Sequence, residues 1–191
     1  AKADDEAEIL IYDQIGIDWW TGGGTTAQEF VKDLKAIKAS KISLRLNSPG
    51  GEVFDGNTIY NALRDHKAEI TVHVDGLAAS IASVIAMAGD EVIMGAHSEF
   101  MIHDASTMAM GNAADIREVA DMLDRVSANI ADVYAERSGG KADDWRALML
   151  AETWFSAEEA VSAGLADKVA PKPKKRESED EEDATEARSL A

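Results

Sequence analysis

The chain has 191 residues, of which 46% are hydrophobic, enough for one domain with a full core plus a tail. A formal net charge of −17 argues against nucleic acid and anionic membranes, since both attract basic surfaces. The absence of cysteine removes disulfides, thiolate metal sites and cysteine nucleophiles.

A first strand is predicted at residues 8–15, Glu8-Ile9-Leu10-Ile11-Tyr12-Asp13-Gln14-Ile15. The loop Asp18-Trp19-Trp20-Thr21-Gly22-Gly23-Gly24 follows. Thr25 or Thr26 then caps a helix whose apolar face is Phe30, Val31, Leu34 and Ile37. A strand at Lys41–Leu46 leads into the loop Asn47-Ser48-Pro49-Gly50-Gly51, and a helix covers about residues 56–66. The alternation Ile70-Thr71-Val72-His73-Val74 marks a strand, and the small-residue run from Ala78 to Ala88 a tightly packed helix. Two more strands are predicted, at Glu91–Met94 and Phe100–His103. Strands alternating with helices indicate a largely parallel sheet covered on its faces.

The longest helix is predicted over residues 113–137. Its apolar positions Ile116, Val119, Leu123, Val126, Ile130 and Val133 form a heptad-like seam, and Ser138-Gly139-Gly140 ends it. Such a helix either lies on its own sheet or projects to meet another subunit. No apolar run is long enough to span a membrane, and the polar start Ala1-Lys2-Ala3-Asp4-Asp5-Glu6 is unlike a secretion signal, so a cytoplasmic protein is expected. Three segments result: a flexible residue 1–7 stretch, a domain over residues 8–170, and a disordered charged tail over residues 171–191.

Three short stretches carry candidate chemistry. Gly50 and Gly51 follow a strand, where positive φ lets backbone approach a ligand closely; alone, they read equally as an ordinary turn. Ser80 stands where a strand turns into a helix. Unpaired N–H groups there can hold a developing oxyanion, which suits a nucleophile, although a serine at a helix start also serves as a cap. His103 ends a strand and can act as a general base, or be merely structural. His66, His73 and His97 have no ligand spacing, so neither a metal nor a cofactor is expected.

Read in order, Asn47-Ser48-Pro49-Gly50-Gly51, Gly76-Leu77-Ala78-Ala79-Ser80, Met101-Ile102-His103 and Phe155-Ser156-Ala157-Glu158-Glu159-Ala160 with Gly164-Leu165-Ala166-Asp167 resemble the proteolytic subunit of the Clp protease. The stretches Val53-Phe54-Asp55-Gly56 and Trp154-Phe155-Ser156 look closer to the phage branch, the ClpP-like head maturation (prohead) proteases. The resemblance implies a crotonase-like ββα superhelix with a largely parallel sheet and one long projecting helix. It implies a serine endopeptidase, with Ser80 as nucleophile, His103 as general base and the N–H groups of Gly51 and Ile81 as oxyanion hole. Peptide would bind extended along Gly50 and Gly51.

The family's acid falls on Glu152, a glutamate where aspartate is usual. Asp104 is the substitute, and a Ser–His dyad is the outcome if neither serves. The family's pore-lining segment is not recognisable in Ala1–Ala7, so no ATPase partner is expected. The expected substrates are scaffold or capsid precursors, cut by a homo-oligomeric ring. The competing readings are a catalytically inactive ring or scaffold component, a Ser–Lys protease like signal peptide peptidase (with Lys141 or Lys168 as its lysine), and a crotonase-type acyl-CoA enzyme.

Overall fold

The computed structural model describes residues 5–18 and 22–171. Residues 1–4, residues 19–21 and the charged tail from residue 172 onward lie outside them, as do the expectations that fall there. The strands are β1 (Glu6–Ile11), β2 (Lys41–Ser48), β3 (Glu69–Ala79), β4 (Glu91–Met94), β5 (Glu99–Ile102), β6 (Thr153–Ser156) and β7 (Lys168–Val169). The helices are α1 (Ala27–Ala36), α2 (Val53–Arg64), α3 (Ile81–Ala86), α4 (Ala113–Ser138), α5 (Ala142–Leu150) and α6 (Ala157–Ser162).

Strands β1, β2, β3, β4 and β7 lie side by side in that order, every pair parallel. This is the mixed α/β architecture with a largely parallel sheet that the strand–helix alternation predicts. Ile42, Leu44 and Leu46 of β2 and Ile70, Val72 and Val74 of β3 alternate into the core, where Phe30 and Leu34 of α1 and Ile59 and Leu63 of α2 cover them. Burying the three β3 side chains stabilises the fold by about 5–9 kcal/mol in total. A one-residue slip would turn all three out to solvent, so the register of β3 is firmly set.

That register matters because β3 changes neighbours along its length. Thr71–Val74 pair with β4, whereas Leu77–Ala79 pair with β5. On the other side, a register shift between Leu46 and Ser48 puts Ser48 opposite Ala78. The ends of β2, β3 and β5 therefore converge at one point, the C-terminal edge where parallel sheets present their loops.

The structure departs from the predicted elements in four places. First, β1 stops at Ile11, because Ile15 leaves the ladder to bridge Thr25 and Gly51 instead. Next, β3 runs on to Ala79, so α3 is only Ile81–Ala86, with all six residues buried. Residues 142–162, not assigned elements from the sequence, form α5, β6 and α6, and β6 pairs antiparallel with β5. Finally, α4 is buried only at Ser127, Ile130, Ala131 and Tyr134. Its second half packs against α3 and α5, and its first half is left largely exposed, with Ile116 at 40%.

Candidate active site

Ser80 joins β3 to α3 with φ 55° and ψ −132°, a backbone conformation that side chains disfavour by about 1–3 kcal/mol. Its N–H donates to the Met101 carbonyl at 3.0 Å, extending the β3–β5 pairing by one bond. The side chain makes no capping hydrogen bond, so the simple cap reading fails. The hydroxyl instead lies 2.8 Å from Nε2 of His103, which stands two residues beyond Met101. Two strands held in register thus bring together residues 23 positions apart. A hydroxyl at hydrogen-bond distance from an imidazole nitrogen is the arrangement that activates a serine.

The glycine loop closes on the same point. Gly50 has φ 90°, and a Cβ built there would stand 2.7 Å from both the Ala79 carbonyl oxygen and Cβ of Ser80, and 3.1 Å from the Ile81 nitrogen. Only glycine lets the loop lie this close. Gly50's carbonyl accepts from Ile15 N–H at 2.8 Å, and Ile15's carbonyl accepts from Glu52 N–H at 2.9 Å, which pins the loop on both sides of Gly51. Between those bonds the Gly51 N–H is left out of the loop's hydrogen bonding. The Ile81 N–H, at the first position of α3, likewise has no intrahelical partner. Among the described residues these two N–H groups donate to no acceptor, and donors of this kind can hold an oxyanion.

Among the described residues, no carboxylate makes a hydrogen bond or ion pair to His103. Glu152, expected there, occupies the turn after α5 with a left-handed φ of 48°. Its side chain is exposed and accepts from Nε1 of Trp154 at 3.4 Å. Its backbone is nevertheless beside the site. The Met149 carbonyl accepts from Glu152 N–H at 3.0 Å and from Asp104 N–H at 3.2 Å. The β5–β6 ladder ends on Ile102 opposite Thr153, one residue short of His103 and Glu152. Asp104 is committed elsewhere: Nε and Nη2 of Arg146 each meet its carboxylate at 2.8 Å, and Arg146 also reaches Asp124 of α4 at 2.9 Å. Those bonds tie the His103 strand end to α4 and α5. Of the two candidate lysines, Lys168 is bound to Glu91 at 2.6 Å, and Lys141 flanks α5.

The sequence reading missed Ser83 and Tyr134. Ser83 donates its hydroxyl to the Ser80 carbonyl, and Tyr134 from α4 lies 2.6 Å from the Ser83 oxygen. Burial pushes the Tyr134 phenol well above its ordinary pKa, so it stays protonated. The available signal was the spacing Ser80-x-x-Ser83 on one helical turn, where a hydroxyl can reach a carbonyl three residues back. No group of three His, Asp or Glu residues among those described is placed to hold a metal ion. None of the described helices is long and apolar enough to cross a membrane.

The Clp protease family model matches residues 5–173. The chain is 32% identical over 155 residues to the ATP-dependent Clp protease proteolytic subunit of Bacteroides fragilis (strain ATCC 25285), covering 80% of this chain and 74% of that protein. To the subunit of the same name from Porphyromonas gingivalis it is 32% identical over 161 residues, covering 83% and 72% of the two chains. To the subunit of the same name from Pleurastrum terricola it is 34% identical over 127 residues, 65% of each chain.

Proposed function

This chain belongs to the Clp protease family and is a serine-type peptidase, and from that premise we propose that Ser80 is its nucleophile and His103 its general base. The observation that carries the assignment is the 2.8 Å contact between Ser80 Oγ and His103 Nε2 at a strained strand-to-helix turn. His103 takes the hydroxyl proton as Ser80 attacks the scissile carbonyl. The N–H groups of Gly51 and Ile81 receive the oxyanion. On collapse, His103 returns the proton to the leaving amine and an acyl-enzyme remains. Water, deprotonated by His103, then attacks the ester and frees Ser80.

Glu152 orients the imidazole in this reading, by turning its side chain from Trp154 to His103. Its place in the chain supports this: Ile102 and Thr153, the neighbours of His103 and Glu152, are partners at the end of the β5–β6 ladder. The serine's partner is an imidazole, so a Ser–Lys mechanism is not favoured.

The family acts on protein substrates as homo-oligomeric rings, and we infer the same for this chain. The exposed first half of α4, with Ile116 at its surface, supports a subunit contact there. Light scattering at micromolar concentration is expected to show an oligomer, and a monomer would contradict it. In finer detail we infer a phage-type maturation protease that cuts scaffold or capsid precursors without an ATPase. The resemblance of Val53–Gly56 and Trp154–Ser156 to that branch supports it. Such substrates arrive as extended segments in an assembly, with no need for ATP-driven unfolding.

The test is hydrolysis of an extended fluorogenic peptide and of an unfolded protein in the absence of nucleotide. Turnover by the unaltered protein and none by Ser80→Ala or His103→Ala is expected. Activity retained in Ser80→Ala would remove the assignment, and turnover only with an added ATPase would remove the unassisted reading.

A further inference from the structure

The Ser80 carbonyl accepts two hydrogen bonds from the same residue, one from the Ser83 N–H at 3.0 Å and one from the Ser83 hydroxyl. A serine hydroxyl has one proton to give. Having given it to Ser80, Ser83 can only accept from Tyr134, 2.6 Å away. The direction of the chain is therefore settled: Tyr134 O–H to Ser83 Oγ, and Ser83 O–H to the Ser80 carbonyl. Both hydroxyl-bearing residues are sealed from solvent, Ser83 at 0% and Tyr134 at 1% exposure. The Tyr134 ring is itself held by Trp145, tilted at 45° with ring centres 5.7 Å apart, and Trp145 donates to Ser138 at 2.7 Å.

The consequence lies in the geometry of one peptide unit. The Ser80 carbonyl and the Ile81 N–H belong to the same planar, trans peptide, so they point in opposite directions. Whatever holds the carbonyl towards the buried side of α3 aims the N–H the other way. We propose that Ser83 and Tyr134 are positioning residues for the oxyanion site: through Ser80's carbonyl they set the direction of the Ile81 N–H. The proposal rests on the reading of Ser80 as nucleophile and Ile81 as oxyanion donor. The same bonds restrain Ser80's ψ of −132°, the rotation that sets this peptide plane.

A donor that is aimed from behind contributes most when charge develops on the substrate oxygen. Its loss should lower kcat and leave KM nearly unchanged. The experiment measures kcat and KM on an extended peptide, and inhibition by a peptide boronate that forms a tetrahedral adduct with the serine. The proteins are the unaltered chain, Tyr134→Phe, Ser83→Ala, the double variant and Ser80→Ala. Removing an oxyanion donor outright costs about 10²–10³-fold in kcat, so misaiming one is expected to cost roughly 10–100-fold in Ser83→Ala. Tyr134→Phe keeps the ring and its packing, and is expected to cost about 3–10-fold, one hydrogen bond's worth. Boronate affinity should fall in parallel with kcat while KM stays within about twofold.

The double variant decides between positioning and general loosening. If Tyr134 acts through Ser83, the double variant is no slower than Ser83→Ala alone. Multiplying effects, or unchanged kcat in both single variants, would overturn the proposal. Should Ser83→Ala fail to fold, Tyr134→Phe alone decides by its kcat and boronate affinity. An inactive Ser80→Ala beside a fully active Ser83→Ala sinks this inference only. An active Ser80→Ala sinks the nucleophile reading beneath it.

Discussion

Replacing Ser80 by glycine and by alanine separates the strain in its backbone from the chemistry of its hydroxyl. Both variants lose the hydroxyl and its 2.8 Å contact with His103, so both lose activity to the same extent. They differ in the backbone. Alanine inherits φ 55° and ψ −132° with a Cβ in place, and keeps a strain of about 1–3 kcal/mol. Glycine relieves it, at a cost of about 0.4–1 kcal/mol in extra freedom of the unfolded chain. The glycine variant is therefore expected to be more stable than the alanine variant by about 1–2 kcal/mol. For a chain of this size that is roughly 2–6 °C in Tm. Differential scanning calorimetry at equal protomer concentration measures it, since assembly makes Tm depend on concentration. A glycine variant that melts at or below the alanine variant would refute the idea that Ser80 is held in a strained turn.

The remaining expectations concern the residues around that turn. Gly50→Ala puts a methyl 2.7 Å from backbone and from Ser80 Cβ, so it is expected to slow peptide turnover by about 10²-fold or more. Normal turnover would mean the loop is not set against Ser80. Glu152→Gln is expected to lower kcat by on the order of 10²-fold, and an unchanged kcat would establish a Ser–His pair working alone. Asp104→Asn breaks a two-point ion pair with Arg146 and is expected to cost about 1–3 kcal/mol of stability, with turnover far less affected than in Glu152→Gln. Equal losses in the two would leave the identity of the acid open to Asp104. Burial, with Arg45 beside it, holds the His73 pKa below its ordinary value. The unfolded chain then binds more protons than the folded one as pH falls below about 6.5, so stability should fall with acidification in that window. His73→Gln is expected to flatten the dependence of Tm on pH there, and an unchanged slope would assign it to other groups.

The sequence carried the parallel sheet because the β2 and β3 alternation, with Val72 and Val74 inward and His73 outward, needs no tertiary information. It also carried Ser80, His103 and the glycine pair, since each ends a strand. Their convergence could not be read from any single segment. It depends on β3 exchanging β4 for β5 after Val74, a change of partner made by distant residues. Residues 142–162 were illegible as elements for a different reason. Helices of nine and six residues around a four-residue strand are too short to show a period, and tertiary contacts hold them. The position of Glu152 was legible from Ser156, but its side-chain direction follows from a left-handed φ and the Trp154 indole. Tyr134 hid in the apolar seam of α4, where one hydroxyl beside Val133 does not disturb the pattern.

The most direct measurement is to label the protein with a fluorophosphonate and map the adduct by peptide mass spectrometry. One adduct is expected, on Ser80, forming much more slowly in His103→Ala and not at all in Ser80→Ala. An adduct on any other residue, or labelling of Ser80 at full rate without His103, would contradict the assignment of this pair.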